Sequence, residues 1–167
     1  MKNREEKTNA IRLLEQKKLL FRLHDYSQSG AVSGPEVAEY LNENPDRVFK
    51  TLVTVGKSAG HYVFLVPVNR ELDLKKAAKA VNEKSIEMIK AKELLPLTGY
   101  IHGGCSPVGM KKFFPTIIDA GAECFEEIFF SGGRIGLQIE MSLSELQKVI
   151  TFRLADISSG ASAPPIS

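Results

Sequence analysis

The spacing of apolar residues divides this chain into short helices and strands. Thr8 as an N-cap, followed by Ala10, Ile11, Leu13 and Leu14, predicts a helix running to about position 18. Residues 20–26 alternate, with Phe21, Leu23 and Asp25 on one side and Arg22, His24 and Tyr26 on the other. That predicts a half-buried strand with a polar face. Ser33, Pro35 and Glu36 form a capping box before a helix carrying Val37, Ala38, Tyr40 and Leu41. The β-branched run 48–55 and the apolar run 61–68 predict two strands joined as a hairpin around 57–60. Asp73 caps a lysine-rich helix to Val81. A further helix is expected over 86–94, with Ser85 as its cap and Pro96 helping to end it. Short strands follow at 116–119 and 127–130. A tight turn at 131–134 then leads into a strand over 135–141. Ser142 and Glu145 box the start of a helix to about 150, and a last strand covers 152–157.

Strand pairs joined by turns, with helices interspersed, lack the regular alternation of a doubly wound parallel sheet. The pattern predicts an α+β fold: a mixed, largely antiparallel sheet that curls toward a barrel, flanked by helices. At 167 residues the chain reads as one domain over 1–157, with a disordered Ser-, Ala- and Pro-rich tail over 158–167.

A net charge of +2 excludes a bulk polycation that coats nucleic acid, although charge distribution matters more than its total. Lys75-Lys76 and Lys111-Lys112 read either as solvated faces or as phosphate contacts. Cys105 and Cys124 make neither a disulfide framework nor a zinc spacing. The reading is a cytoplasmic protein with reduced thiols. The charged N-terminus lacks a secretory apolar region, and no apolar run is long enough to span a bilayer, so no membrane role is expected. His24, His61 and His102 lack metal-ligand spacing, so neither metal nor cofactor is expected.

The stretch 101–112 concentrates the candidate chemistry. Three glycines, Pro107, Cys105, Ser106 and His102 lie between two apolar segments. Such a loop is either a turn between strands or a backbone shaped to aim N–H groups at one point. Cys105 with His102 suggests a thiol nucleophile and base, against which stands the ordinary use of cysteine as a small buried residue. Lys50 is the charge in an otherwise uncharged strand. It reads as an edge lysine whose stem covers apolar surface, as an inward cation for an anionic ligand, or as a Schiff-base lysine. Ser131 to Gly136 makes a second glycine-rich turn that matches neither a Walker loop nor a dinucleotide fingerprint.

Several short motifs share an order and spacing with a known family. They are Lys7-Thr8-Asn9-Ala10, Val48-Phe49-Lys50-Thr51-Leu52, Leu72-Asp73-Leu74-Lys75-Lys76, residues 99–109, Thr116-Ile117-Ile118-Asp119 and residues 131–137. From about 7 to 157 the chain resembles the YbaK/EbsC family. These are free-standing bacterial deacylases similar to the editing domain inserted in prolyl-tRNA synthetases.

The resemblance implies removal of cysteine from mischarged Cys-tRNA(Pro), and from Cys-tRNA(Cys), in trans to the synthetase. The expected partners are the 3′ CCA end of an aminoacyl-tRNA and, in a ternary complex, prolyl-tRNA synthetase; DNA is not expected. The implied chemistry is substrate-assisted: the cysteine thiol attacks its own ester and closes a thiolactone. By position, Lys50 matches the family's essential lysine, with Thr51 beside it. Gly103, Gly104, Cys105, Ser106 and Pro107 match the G-x-x-x-P loop, Gly103 with a catalytic role. Tyr26 and Ser131 match pocket residues. Gln138 stands where some relatives carry Asp, which weakens charge-based recognition of the substrate ammonium there. Alternatives are a relative that clears alanine from tRNA(Pro) and a non-catalytic, EbsC-like regulatory or binding protein.

Overall fold

The computed structural model describes residues 7–31 and 34–160. Thr8 caps α1 (Asn9–Gln16) by accepting from the Ile11 N–H at 3.2 Å, and the helix buries Ala10, Ile11 and Leu14. β1 (Arg22–Asp25) follows. The expected box at the start of α2 (Gly34–Leu41) rests on Ser33, which lies outside the described residues. After a 3-10 turn (Pro45–Arg47) come β2 (Phe49–Gly56) and β3 (His61–Pro67), which pair as the expected antiparallel hairpin. β4 (Glu71–Leu72) leads into α3 (Leu74–Ala80), where the N–H groups of Lys75 and Lys76 donate to the Asp73 carboxylate.

The stretch 86–94 departs from expectation. Ser85 caps no helix: β5 (Ile86–Met88) pairs with 54–56 of β2 and buries Ile86. Helix starts only at α4 (Ala91–Thr98), and Pro96 lies inside it. Its stop is Gly99, at φ +86°. Without β5 the edge of β2 would keep unpaired N–H and C=O groups, and pairing there overrides the weak helical periodicity of so short a run.

β6 (Thr116–Asp119) joins the sheet in parallel. β7 (Ile128–Ser131) and β8 (Leu137–Met141) form the second hairpin, with β8 starting two residues later than expected. α5 (Leu143–Leu146), capped by Ser142, is shorter than expected. β9 (Phe152–Ala155) ends the main sheet. The anticipated tail begins instead with a strand, β10 (Ser158–Ser159), paired with β4. Residues 161–167 lie outside the described residues.

The strands form an antiparallel sheet β1-β8-β7, a mixed sheet β5-β2-β3-β6-β9 and the small pair β10-β4. Among the described residues only the β3–β6 and β6–β9 ladders are parallel, so the class is α+β and largely antiparallel, as the pattern predicts. The two larger sheets touch through one parallel bridge, Val48 to Phe129, rather than a continuous ladder. Phe49, Val53, Leu65, Ile118, Phe130 and Ile139 fill the main core, into which Leu14 of α1 also packs. A second cluster under α3 holds Phe64, Val66, Ala77 and Ile117.

Candidate active site

Just past the Val48–Phe129 bridge, β2 and the β7–β8 hairpin separate. A cleft of about 390 Å³ opens there, with Lys50, Thr51, Gly103, Cys105, Ser131, Gln138 and Tyr26 in its lining. Seven of the ten anticipated site residues therefore meet at one place, from four separate parts of the chain. Gly104, Ser106 and Pro107 are buried behind it and shape the loop instead.

The glycine loop is braced from both ends. The Tyr100 hydroxyl donates to the Val108 carbonyl at 2.6 Å, and the Ser106 hydroxyl accepts from the Val108 N–H at 3.2 Å. Burial raises the Tyr100 pKa, which keeps that donor protonated. Gly103 has φ +87°, a conformation L side chains avoid. At Gly104 the reason for glycine is contact: a Cβ would lie 2.7 Å from Cα of Arg134 and 2.9 Å from its carbonyl carbon. The two glycine-rich turns thus lie backbone against backbone. The Gly104 N–H is used within the loop, on the Ile101 carbonyl at 2.9 Å. Among the described residues, no protein acceptor takes the N–H groups of Gly103 and Cys105.

Lys50 is half-buried. Its ammonium is 3.8 Å from the carboxylate of Glu71, which is 84% exposed. A contact that long to a solvated carboxylate holds the cation only weakly, leaving it available to an anionic ligand. Burial pushes the Cys105 thiol up to about 12. A thiol so raised is protonated at neutral pH and is a poor nucleophile. The Ser131 hydroxyl accepts from the Gly133 N–H at 3.1 Å. The backbone of Tyr26 is fixed by its N–H on the Gly136 carbonyl at 2.7 Å, and its ring is buried near Tyr40. Two side-chain atoms of the lining, Thr51 Oγ1 and Gln138 Oε1, are buried without a partner among the described residues.

The sequence reading missed one wall of the cleft. Met88, Ile89, Lys90 and Ala91 line it, at the bend between β5 and α4. Reading 86–94 as continuous helix hid that bend; Gly99 as the true helix stop was the available signal. His102 lines the cleft from an exposed position rather than standing apart from it.

Comparison with known proteins is decided by one match: the model of the aminoacyl-tRNA editing domain covers residues 29–149. The chain belongs to this family. Its similarity to an Enterococcus faecalis protein described as "Putative Cys-tRNA(Pro)/Cys-tRNA(Cys) deacylase EbsC" is 43% identity over 93% of the chain and 96% of that protein. The editing-domain chain also matches a proline–tRNA ligase of Pseudothermotoga lettingae, at 28% identity over 58% of the chain and only 16% of the ligase. Among solved structures it superposes on "a putative trans-editing enzyme for prolyl tRNA synthetase" with a TM-score of 0.78 and 26% identity. That match covers 91% of this chain and 96% of the other. The YbaK/EbsC resemblance read from the motifs is therefore the family to which the chain belongs.

Proposed function

We propose that this editing-domain protein deacylates mischarged Cys-tRNA(Pro) in trans, with the substrate supplying its own nucleophile. One observation carries the reading: among the described residues the cleft offers donors for an anion or an oxyanion but no activated nucleophile. Lys50 and the free N–H groups of Gly103 and Cys105 are the donors. The lining thiol is held protonated, and the lining hydroxyl of Ser131 has no histidine or carboxylate bonded to it among the described residues.

In the proposed reaction the thiol sulfur of the bound cysteine attacks the carbonyl carbon of its own ester. A C–S bond forms and the C–O bond to the terminal ribose breaks. The thiol proton ends on the released ribose hydroxyl, and a four-membered thiolactone leaves. No water is consumed in that step. The protein holds the aminoacyl group bent on itself, which is catalysis by proximity, and its N–H groups stabilise the oxyanion. Lys50 holds the terminal phosphate or the reacting ester end. Discrimination by chemistry suits this substrate, because a pocket separates near-isosteres such as cysteine and proline poorly by size alone. With a net charge of +2, part of the tRNA affinity comes from prolyl-tRNA synthetase in a ternary complex. That part is checked by comparing the salt dependence of tRNA binding with and without the synthetase.

The decisive experiment is deacylation of tRNA(Pro) charged with cysteine, serine, alanine or proline. The expected outcome is that only the cysteinyl ester is cleared. Lys50→Ala should slow clearance by about 100-fold or more, the scale of losing a transition-state contact. Cys105→Ala should stay within a few-fold of wild type. A folded but dead Cys105→Ala protein would overturn the self-cyclising reaction. Clearance of alanine would replace it with attack by water. No turnover with any ester would leave a binding protein.

A further inference from the structure

The two lysine pairs of the sequence meet different fates in the fold. On α3, Lys76 is spent internally: its ammonium donates to the Asp156 carboxylate and to the Ser158 carbonyl, both at 3.1 Å. Lys111 and Lys112 are exposed, in a loop that crosses the C-terminal end of α4. The Lys111 N–H donates to the Thr98 carbonyl at 3.0 Å, and its side chain lies beside Gly99. Its ammonium reaches the Pro96 carbonyl only at 3.5 Å. Among the described residues, none pairs with the Lys112 ammonium.

The same loop exposes an aromatic ring. Phe114 packs against the main core and meets the His61 ring edge-on at 5.8 Å. Phe113 is 71% exposed. Leu95, one turn before Gly99, and Ile101, two residues after it, are exposed as well. Three large apolar side chains around one helix end, rimmed by lysines, mark an interaction site rather than scattered surface residues.

Charge selects the partner. Positions 90–113 hold Lys90, Lys92, Lys111 and Lys112 against Glu93 alone, a surplus of three positive charges. The whole chain carries only +2, so the other residues together are slightly acidic. All four lysines are exposed, whereas the Glu93 carboxylate is occupied by the Lys90 N–H at 3.2 Å. Protein interfaces are depleted in lysine. An exposed ring among ammonium groups suits single-stranded RNA, whose bases stack on the ring and whose phosphates meet the cations.

This surface begins at the cleft. Lys90, Ala91 and Leu94, at the start of α4, belong to its lining. From Ala91 to Thr98 the helix runs about 10 Å, at ~1.5 Å per residue. That is the reach of about three nucleotides stacked at ~3.4 Å each. A terminal adenosine in the cleft therefore brings the nucleotides before it to the loop 111–113.

We infer that the exposed side of α4 and the loop 111–113 form the track for the single-stranded 3′ end of the tRNA, upstream of its terminal adenosine. Phe113 is the stacking platform for a base, and Lys112 contacts a phosphate. This rests on the proposed function above and extends it outward: the ester end sits inside the cleft, and the preceding nucleotides lie outside it.

The test is binding of unacylated, 5′-labelled RNAs, CA, CCA, ACCA and a hexanucleotide ending in ACCA, followed by fluorescence anisotropy at low salt. Wild type should gain affinity at each step to ACCA and little beyond it. Phe113→Ala should weaken ACCA binding roughly tenfold, the scale of one lost base stack, and the loss should vanish with CA. Phe113→Tyr keeps the ring and should restore the affinity. Lys112→Ala should flatten the slope of log affinity against log salt by about 0.7, one phosphate contact on a single strand. Lys75→Ala removes a charge from α3 and should do neither. ACCA bound no tighter than CA, an unaltered Phe113→Ala, or equal damage from Lys75→Ala would overturn the track. So would a Phe113→Ala defect seen only when prolyl-tRNA synthetase is present, which would assign the surface to a protein. Clearance of Cys-tRNA(Pro) judges the deacylase reading separately. Clearance without the track leaves that reading standing, and the track without clearance leaves a protein that binds RNA 3′ ends.

Discussion

Burial makes Cys105 a hydrophobic residue with a weak donor, although its sequence setting next to glycines suggests reactivity. Its thiol, pushed up to about 12, stays protonated throughout the physiological range. Cys124 is exposed. Iodoacetamide at pH 8 should therefore add one label per native chain, and Cys124→Ser should take none until the protein is unfolded. Rapid labelling of native Cys124→Ser would show that Cys105 reaches the thiolate and would reopen nucleophilic catalysis. Lys50 is the converse case. A charge in an uncharged strand is visible in the sequence, but its role depends on what faces it. The structure sets it in a cleft, against one distant and solvated carboxylate.

At the scale of elements, the site is made by two glycine-rich turns in close contact. Gly104 meets the main chain of Arg134, which cannot rotate out of the way as a side chain would. Gly104→Ala should force the turns apart and cost about 1–3 kcal/mol, the scale of overpacking. Thermal melting should fall by several degrees, since 1 kcal/mol is worth roughly 2–4 °C in a domain this size. Activity should fall further than stability, because the N–H groups of Gly103 and Cys105 move with the turn. Gly30→Ala is the control. Its φ of +83° carries backbone strain, but no atom lies within 4 Å of the added methyl. Melting losses no greater at Gly104 than at Gly30 would show that the contact does not matter. The β5–α4 bend belongs to this scale too. A 3-residue strand has too few positions to show a period, and only the open edge of β2 selects it.

Across the whole molecule, the β1-β8-β7 sheet is tied to the turn before β2 by a charge cluster around one buried carboxylate, Glu140. Glu140 on β8 accepts from Arg47 and pairs with His24 on β1, and Arg47 stacks on Phe129 of β7 at 5.0 Å. Burial alone would raise the Glu140 pKa. The hydrogen bonds from His24 and Glu127 and the charges of His24 and Arg22 outweigh it and hold the pKa down. Its neighbour Glu127 moves the other way, chiefly through its hydrogen bond to Glu140. A carboxylate lowered on folding adds stability that is present above its unfolded pKa of about 4.3 and is lost as pH falls through the folded value. Glu127, being raised, contributes in the opposite sense: its part is present below the unfolded pKa and is lost as pH rises through the folded value. Glu140→Gln should therefore destabilise the protein near pH 7, by about 2 kcal/mol given how far its partners are exposed. It should also flatten the fall in melting temperature between about pH 5 and pH 3. An acid limb unchanged by the substitution would remove Glu140 from the account.

The sequence by itself determined the class of fold, most strands, the caps at Thr8, Asp73 and Ser142, and the identity of the two glycine turns. These follow from local rules: side-chain periodicity, free N–H groups at helix starts, and glycine where other residues clash. Its motifs also carried the family. Tertiary structure alone decided which of those residues share a cleft, because Tyr26, Lys50, Gly103 and Ser131 are distant in the chain and meet only where two sheets part. It decided that 86–88 is strand, since the reason is an edge on another strand. It decided that Cys105 is inert, since desolvation is a property of surroundings. It also left Thr51 and Gln138 with unspent acceptors, which no pattern of residue types along a chain can show.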